Sequence, residues 1–217
     1  MLDFAGLAPH LGRLVHGAGV TAAVSLTAIL IGAPLGMGVC ALRRLGGLPG
    51  RLARGYISLF RGTPLLVQLL VLFYVPGALG VSMTPLSAAL LGLALNTAAF
   101  QAEIYRAGFE ALPPGQVEAA RALGLHTWQR NLLVLLPQVV RLVLPNLTSE
   151  AVDILKNSAL ISVIAVTDLL RIGQQITAVT YRPLEAYLAV AALYWVLTSA
   201  LGFAGYAAER RLAVASR

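Results

Sequence analysis

The chain has 217 residues, a net charge of +7, 58% hydrophobic residues and only 12% charged ones. A soluble domain carries about 25% charged residues, so this composition excludes an ordinary soluble fold and indicates a membrane protein. The only lysine, Lys156, is followed by Asn157, so the Gly-Lys-Ser/Thr of a phosphate-binding loop is missing and any ATPase is expected on another subunit.

Asp, Glu, Lys and Arg are absent from 14–42, 62–102 and 186–208, and one crossing of a bilayer needs roughly 20 apolar residues. The first stretch predicts a span over 17–42. Within it Gly32-Ala33-Pro34-Leu35-Gly36 spaces two glycines for close helix contact, inside the subunit or at a seam between subunits. Pro34 adds a kink, and the lone Cys40 is a packing residue without a disulfide partner. The N-terminus shows no basic region and cleavage site of a signal peptide, so this span is expected to be retained. His10, His16 and His126 lack metal-ligand spacing, and no metal site is expected.

A basic loop follows, with Arg43, Arg44, Arg51 and Arg54 and no acid. Pro64 suits an early helical position, so Arg61–Pro64 reads as a helix start. The second charge-free stretch is too long for one crossing. Pro76-Gly77, Gly80 and Pro85 divide it, which predicts spans over 62–79 and 86–110.

The segment after the third span, about 111–136, is the most informative. Pro113-Pro114-Gly115 ends the span, because proline cannot continue a helix. Gln116 to Leu123 holds strong helix formers at nearly every position, and Gly124 suits a left-handed cap. Thr127 is the expected N-cap of the next helix. Glu118-Ala119-Ala120-Arg121 thus forms a short polar helix between two apolar regions. Its alanines leave a low surface on which a partner backbone can dock, the alternative being an ordinary solvated hairpin.

The fourth span, over 139–163, is apolar enough to insert yet carries Glu150, Asp153 and Lys156, so it must face protein or a wet cavity rather than lipid. The fifth is expected over 188–208. Arginines gather in the first loop, in the third loop (Arg121, Arg130, then Arg141) and in the tail (Arg210, Arg211, Arg217), against Arg13, Arg171 and Arg182 on the other side. Positive loops stay in the cytoplasm, which predicts an outside N-terminus and an inside C-terminus. Spread along loops in this way, the arginines read as topology and not as a nucleic-acid patch. No repeat or low-complexity segment appears. The expectation is one all-α, five-span domain over 1–217.

Glu118-Ala119-Ala120, Gly124 and Leu136-Pro137 twelve residues beyond it resemble the "EAA" loop of bacterial ABC-importer permeases. Arg61-Gly62-Thr63-Pro64-Leu65-Leu66-Val67-Gln68 resembles the opening of the second span in the polar amino acid uptake branch of that family. Ala102-Glu103-Ile104-Tyr105-Arg106-Ala107-Gly108 is similar to its third-span signature. Leu155-Lys156-Asn157-Ser158-Ala159-Leu160-Ile161-Ser162-Val163-Ile164 is similar to a further conserved stretch, with Ala159 where serine is more frequent. The resemblance covers nearly all of 19–211. It implies a permease subunit in the bacterial inner membrane, paired with itself or a relative. It further implies two ATPase subunits binding ATP-Mg below and a solute-binding protein outside. Glu118, Ala119, Ala120, Arg121 and Gly124 would then form the ATPase-coupling patch. Rival readings are the same architecture for an opine or osmolyte, and a membrane scaffold or sensor that does not transport.

Interior polar residues supply the candidate substrate contacts: Glu103 and Asn96 on the third span, Asp153, Lys156, Asn157 and Ser158 on the fourth, with Glu150 on the same face. Asn96 and Glu103 are two turns apart and share a face. Ionisable groups within a span need partners. Either these groups form a zwitterion site, or Asp153 pairs with Lys156 and Glu103 with Arg106 to hold the bundle.

Overall fold

Proline and glycine set most helix boundaries. The computed structural model describes residues 4–214, and among these the regular structure is helical throughout. Arg217, counted above in the basic tail, lies outside the described residues. After a 3-10 turn (Phe4–His10), α1 (Leu11–Leu45) makes the first crossing. It is followed by α2 (Gly47–Gly62), α3 (Leu65–Ala78) and α4 (Pro85–Glu110). The third loop holds α5 (Pro114–Ala122). One turn, α6 (Thr127–Gln129), then passes through a π-helical segment (Arg130–Leu135) into α7 (Leu136–Asn157), which tightens to a 3-10 helix (Ser158–Ile164). Two further helices, α8 (Leu169–Thr180) and α9 (Pro183–Val214), complete the chain.

Four helices are long and apolar enough to cross a membrane, and α2 with α3 forms a bent pair that gives a fifth candidate, a broken span or a re-entrant loop. This differs from the single span expected over 62–79. Pro64 forces the preceding residue out of the helical region, and Thr63 is extended (φ −120°, ψ 147°). The chain therefore turns by 108° there. At 1.5 Å per residue, α3 alone covers about 21 Å, short of a hydrocarbon core of about 30 Å. Pro76 does not end it. The helix runs to Ala78 and closes through Gly80, whose φ is +79°. Neither α2 nor α8 was expected. α2 buries Gly50, Ala53 and Ile57 on one face and exposes Arg51 and Arg54 on the other.

The tightest packing joins α1 to α4. Gly32 and Gly36 are both buried and face α4, so the glycine pair works within the subunit. A Cβ at Gly36 would lie 2.8 Å from the Ala98 carbonyl oxygen and 3.0 Å from Gln101 Cβ. Backbone cannot retreat like a side-chain tip, so Gly36→Val must separate the two helices. Overpacking of this kind costs roughly 1–3 kcal/mol, and a lowered thermal midpoint of the purified protein is the expected reading. Gly38, with nothing within 4 Å of its added Cβ, should tolerate alanine.

At the end opposite the third loop, Leu7, Leu14, Leu169, Ile172 and Ile176 gather into one cluster. There Asp168 caps α8, its carboxylate accepting the Arg171 N–H at 2.9 Å. Burial pushes this carboxyl above the usual aspartate range despite that bond. α9 lies at the periphery, with Trp195 and Phe203 more than 70% exposed, as befits a lipid-facing helix.

Candidate functional site

The α2–α3 corner sits over α4 and α7 and leaves a cleft of about 300 Å³. The corner contributes Phe60, Arg61 and Thr63, α4 contributes Asn96 and Phe100, and α7 contributes Glu150, Asp153 and Asn157. Buried side-chain amides brace this corner. Gln68 Nε2 donates to the carbonyls of Phe60 (2.9 Å) and Thr63 (3.0 Å) and to Thr63 Oγ1 (2.9 Å). Asn96 Nδ2 donates to Gln68 Oε1 at 3.0 Å and to the Phe60 carbonyl at 3.3 Å. The carbonyls released by the break at Thr63 thereby keep partners, as buried backbone groups must.

Glu150 is buried and accepts a hydrogen bond from Thr97 Oγ1 at 3.0 Å. That hydroxyl receives Gln101 Nε2 at 3.1 Å, and Tyr105 OH donates to Gln101 Oε1 at 3.3 Å. The chain Tyr105–Gln101–Thr97–Glu150 fixes the carboxylate from behind. Arg61 also lines the cleft, its guanidinium 5.1 Å from the centre of the Phe100 ring. The cleft therefore offers two carboxylates, a guanidinium and two aromatic rings. Such an arrangement suits a zwitterion with a further polar or cationic group.

The candidate residues separate into two places. Asn96, Asp153 and Asn157 line the cleft. Lys156 does not; its Nζ pairs with Asp153 Oδ1 at 2.7 Å, both side chains being more than half exposed. Ser158 is buried and spends its hydroxyl on the Leu155 carbonyl at 2.8 Å. Glu103 faces the loop side, paired with Arg43 and with Arg106 Nε at 2.9 Å, and 3.9 Å from Arg61 Nη1. Both internal ion pairs considered from sequence are therefore formed. Sequence reasoning missed Phe60, Arg61 and Phe100 as cleft residues. Arg61 sits inside a recognised motif, but nothing local distinguishes the two phenylalanines from lipid-facing ones.

On the loop side α5 ends in a Schellman motif. Leu125 N–H donates to the Ala120 carbonyl (3.2 Å) and Gly124 N–H to that of Arg121 (2.9 Å), with Gly124 at φ +71°. The next helix is capped by His126, not Thr127: the Gln129 side chain accepts the His126 backbone N–H at 2.9 Å, and Thr127 is the first helical residue. Glu118, Ala119, Arg121 and Ala122 are exposed, while Ala120 is buried against the bundle. The corner thus presents a small-residue surface with one charge of each sign.

The family described as "Binding-protein-dependent transport system inner membrane component" matches residues 28–214. The arginine transport system permease protein ArtQ of Bacillus subtilis is 36% identical over 97% of both chains. The glutamine transport system permease protein GlnP of Escherichia coli K12 is 33% identical over 98% of both. A crystal structure of an amino acid ABC transporter with histidines has a chain 35% identical to this one, with a TM-score of 0.90, covering 97% of this chain and 99% of that one.

Proposed function

The chain belongs to the binding-protein-dependent transport system inner-membrane component family, and from that premise we propose how it works and what it carries. It is the membrane-spanning permease subunit of an ABC importer, and polar amino acids are its cargo. The cleft among α2, α4 and α7 receives the solute. Glu150 and Asp153 attract the α-ammonium and a cationic or amide side chain, Arg61 attracts the carboxylate, and Asn96 and Asn157 complete the polar lining. The carrying observation is that two carboxylates, Glu150 and Asp153, and one guanidinium, Arg61, line the same cleft. Glu103 holds the ends of α1, α2 and α4 together through its arginines. Lys156 shields Asp153 when the cleft is empty.

Two ATPase subunits, binding ATP-Mg, dock on the Glu118–Gly124 corner. A second permease copy covers the exposed Asp153–Lys156 face, and a solute-binding protein delivers cargo at the α8 end. The arginine-rich loops place the third loop and the C-terminus in the cytoplasm and the N-terminus outside. The direct test uses proteoliposomes holding the complete complex and its binding protein. ATP-dependent accumulation of arginine, histidine or glutamine is expected. If ATP drives no accumulation of any polar amino acid, a scaffold or sensor role replaces this reading.

A further inference from the structure

We propose that a groove at the loop-side end of α1 binds an anionic phospholipid, its phosphate held by Arg44 and Arg130. The groove measures about 570 Å³ and lies between α1, the end of α4 and the helix entering α7. Met37, Ala41 and Leu45 form one apolar wall, Phe109 the floor, and Trp128 and Leu132 the other wall. No acidic residue lines it.

Two arginines stand at its rim, and Glu110, the carboxylate that acts on Arg44 electrostatically, is hydrogen-bonded to Arg106. The Arg44 guanidinium lies over the Phe109 ring, 4.1 Å from its centre. Arg130 Nε reaches only its neighbour, Asn131 Oδ1, at 3.4 Å. Among the described residues neither forms an ion pair, whereas the adjacent Arg43 and Arg106 share Glu103. Both free guanidiniums can therefore take a phosphate through paired N–H bonds.

Their depth matches a headgroup. Arg43 and Arg44 are the first charges after the apolar run of α1. The exposed Leu42 and Leu45 carry the lipid-facing surface of that span to the groove. Trp128, 62% exposed, has the amphipathic ring favoured at the membrane–water boundary. Basic pockets between spans on the cytoplasmic side are where anionic headgroups bind, and an acyl chain fits the carbon-lined trough. The wall carrying Arg130 and Leu132 is π-helical, a distortion that occurs frequently at functional sites. A lipid here would bridge α1 to the helix that follows the coupling corner, so headgroup charge would bear on the stiffness of that corner.

Native mass spectrometry of the intact complex tests this, after exchange into vesicles of dioleoyl-phosphatidylglycerol or dioleoyl-phosphatidylcholine. The wild type should retain phosphatidylglycerol and release phosphatidylcholine. The Arg44→Gln/Arg130→Gln double variant should lower that retention by about tenfold or more, the attraction of two arginines to an anionic headgroup. An Arg51→Gln/Arg54→Gln variant, with the same change in charge on α2, should keep it. Equal retention of both lipids, undiminished retention by the rim variant, or quantitative cross-linking of the Leu132→Cys variant to an ATPase subunit overturns the proposal.

Discussion

Gly124→Val is expected to lower ATP-driven uptake severalfold while the membrane helices still insert. The residue sits at φ +71°, where a β-branched side chain is a steric outlier. Left-handed backbone costs an ordinary L-residue about 1–2 kcal/mol, which by itself shifts the corner's population by roughly 5–30-fold. The bonds Leu125 N–H to Ala120 and Gly124 N–H to Arg121 depend on that conformation, so α5 loses its stop and its angle to α6. The surface proposed to dock the ATPase subunits then presents Ala119 and Ala122 to the wrong place. Uptake in proteoliposomes and co-purification of the ATPase subunits should both fall. Gly124→Asn supplies the control, because asparagine tolerates the left-handed region and should retain most activity. A valine variant that transports at the wild-type rate would remove the corner from the coupling path.

The crossings were legible wherever charge was absent: α1, α4 and α9 lie where long stretches of the sequence lack charged residues. The fold became illegible where two signals competed. α2 carries Gly47, Gly50, Gly55 and Gly62, each unfavourable in a helix interior, and its arginines read as loop. Its helical state comes from tertiary packing, since Gly50 is buried and an added Cβ there would meet the Arg43 carbonyl at 3.1 Å. α8 did announce itself, with Asp168 as a cap and Leu169, Ile172 and Ile176 at helical spacing, but so short a run is easily taken for a loop.

The site was half legible for a different reason. Spacing along one helix placed Asp153 and Asn157 on one face of α7, and both line the cleft with the buried Asn96, although they are themselves exposed. It could not reveal which residues of other helices meet them. Thr97 and Glu150 are 53 positions apart, and Arg61 reaches the cleft only because the chain turns by 108° beside it. Glu103 illustrates an ambiguity that spacing leaves open. An acid deep in an apolar stretch reads as a ligand or as an ion-pair partner, and three arginines from α1, α2 and α4 lie within ion-pair reach of it.

Neutralising the two cleft acids separates the roles that the geometry gives them. Glu150→Gln keeps the shape and the bond to Thr97 but removes the charge that a substrate ammonium would meet. A hydrogen bond to a charged group contributes about 1.5–3 kcal/mol, so apparent affinity should drop by roughly 10–150-fold. Asp153→Asn should act similarly, because its carboxylate is the other anion of the cleft. Lys156→Gln should do far less. Its pair with Asp153 is more than half exposed on both sides, and such pairs contribute about 0–1 kcal/mol. The substrates discriminate further. Arginine and glutamine both carry the α-ammonium, but of the two only arginine adds a side-chain cation. The variant that weakens arginine and glutamine uptake equally therefore marks the acid facing the α-ammonium. The variant that weakens arginine alone marks the acid facing the side chain. Full uptake of both amino acids by both variants, with the complex intact, would place the solute elsewhere in the bundle.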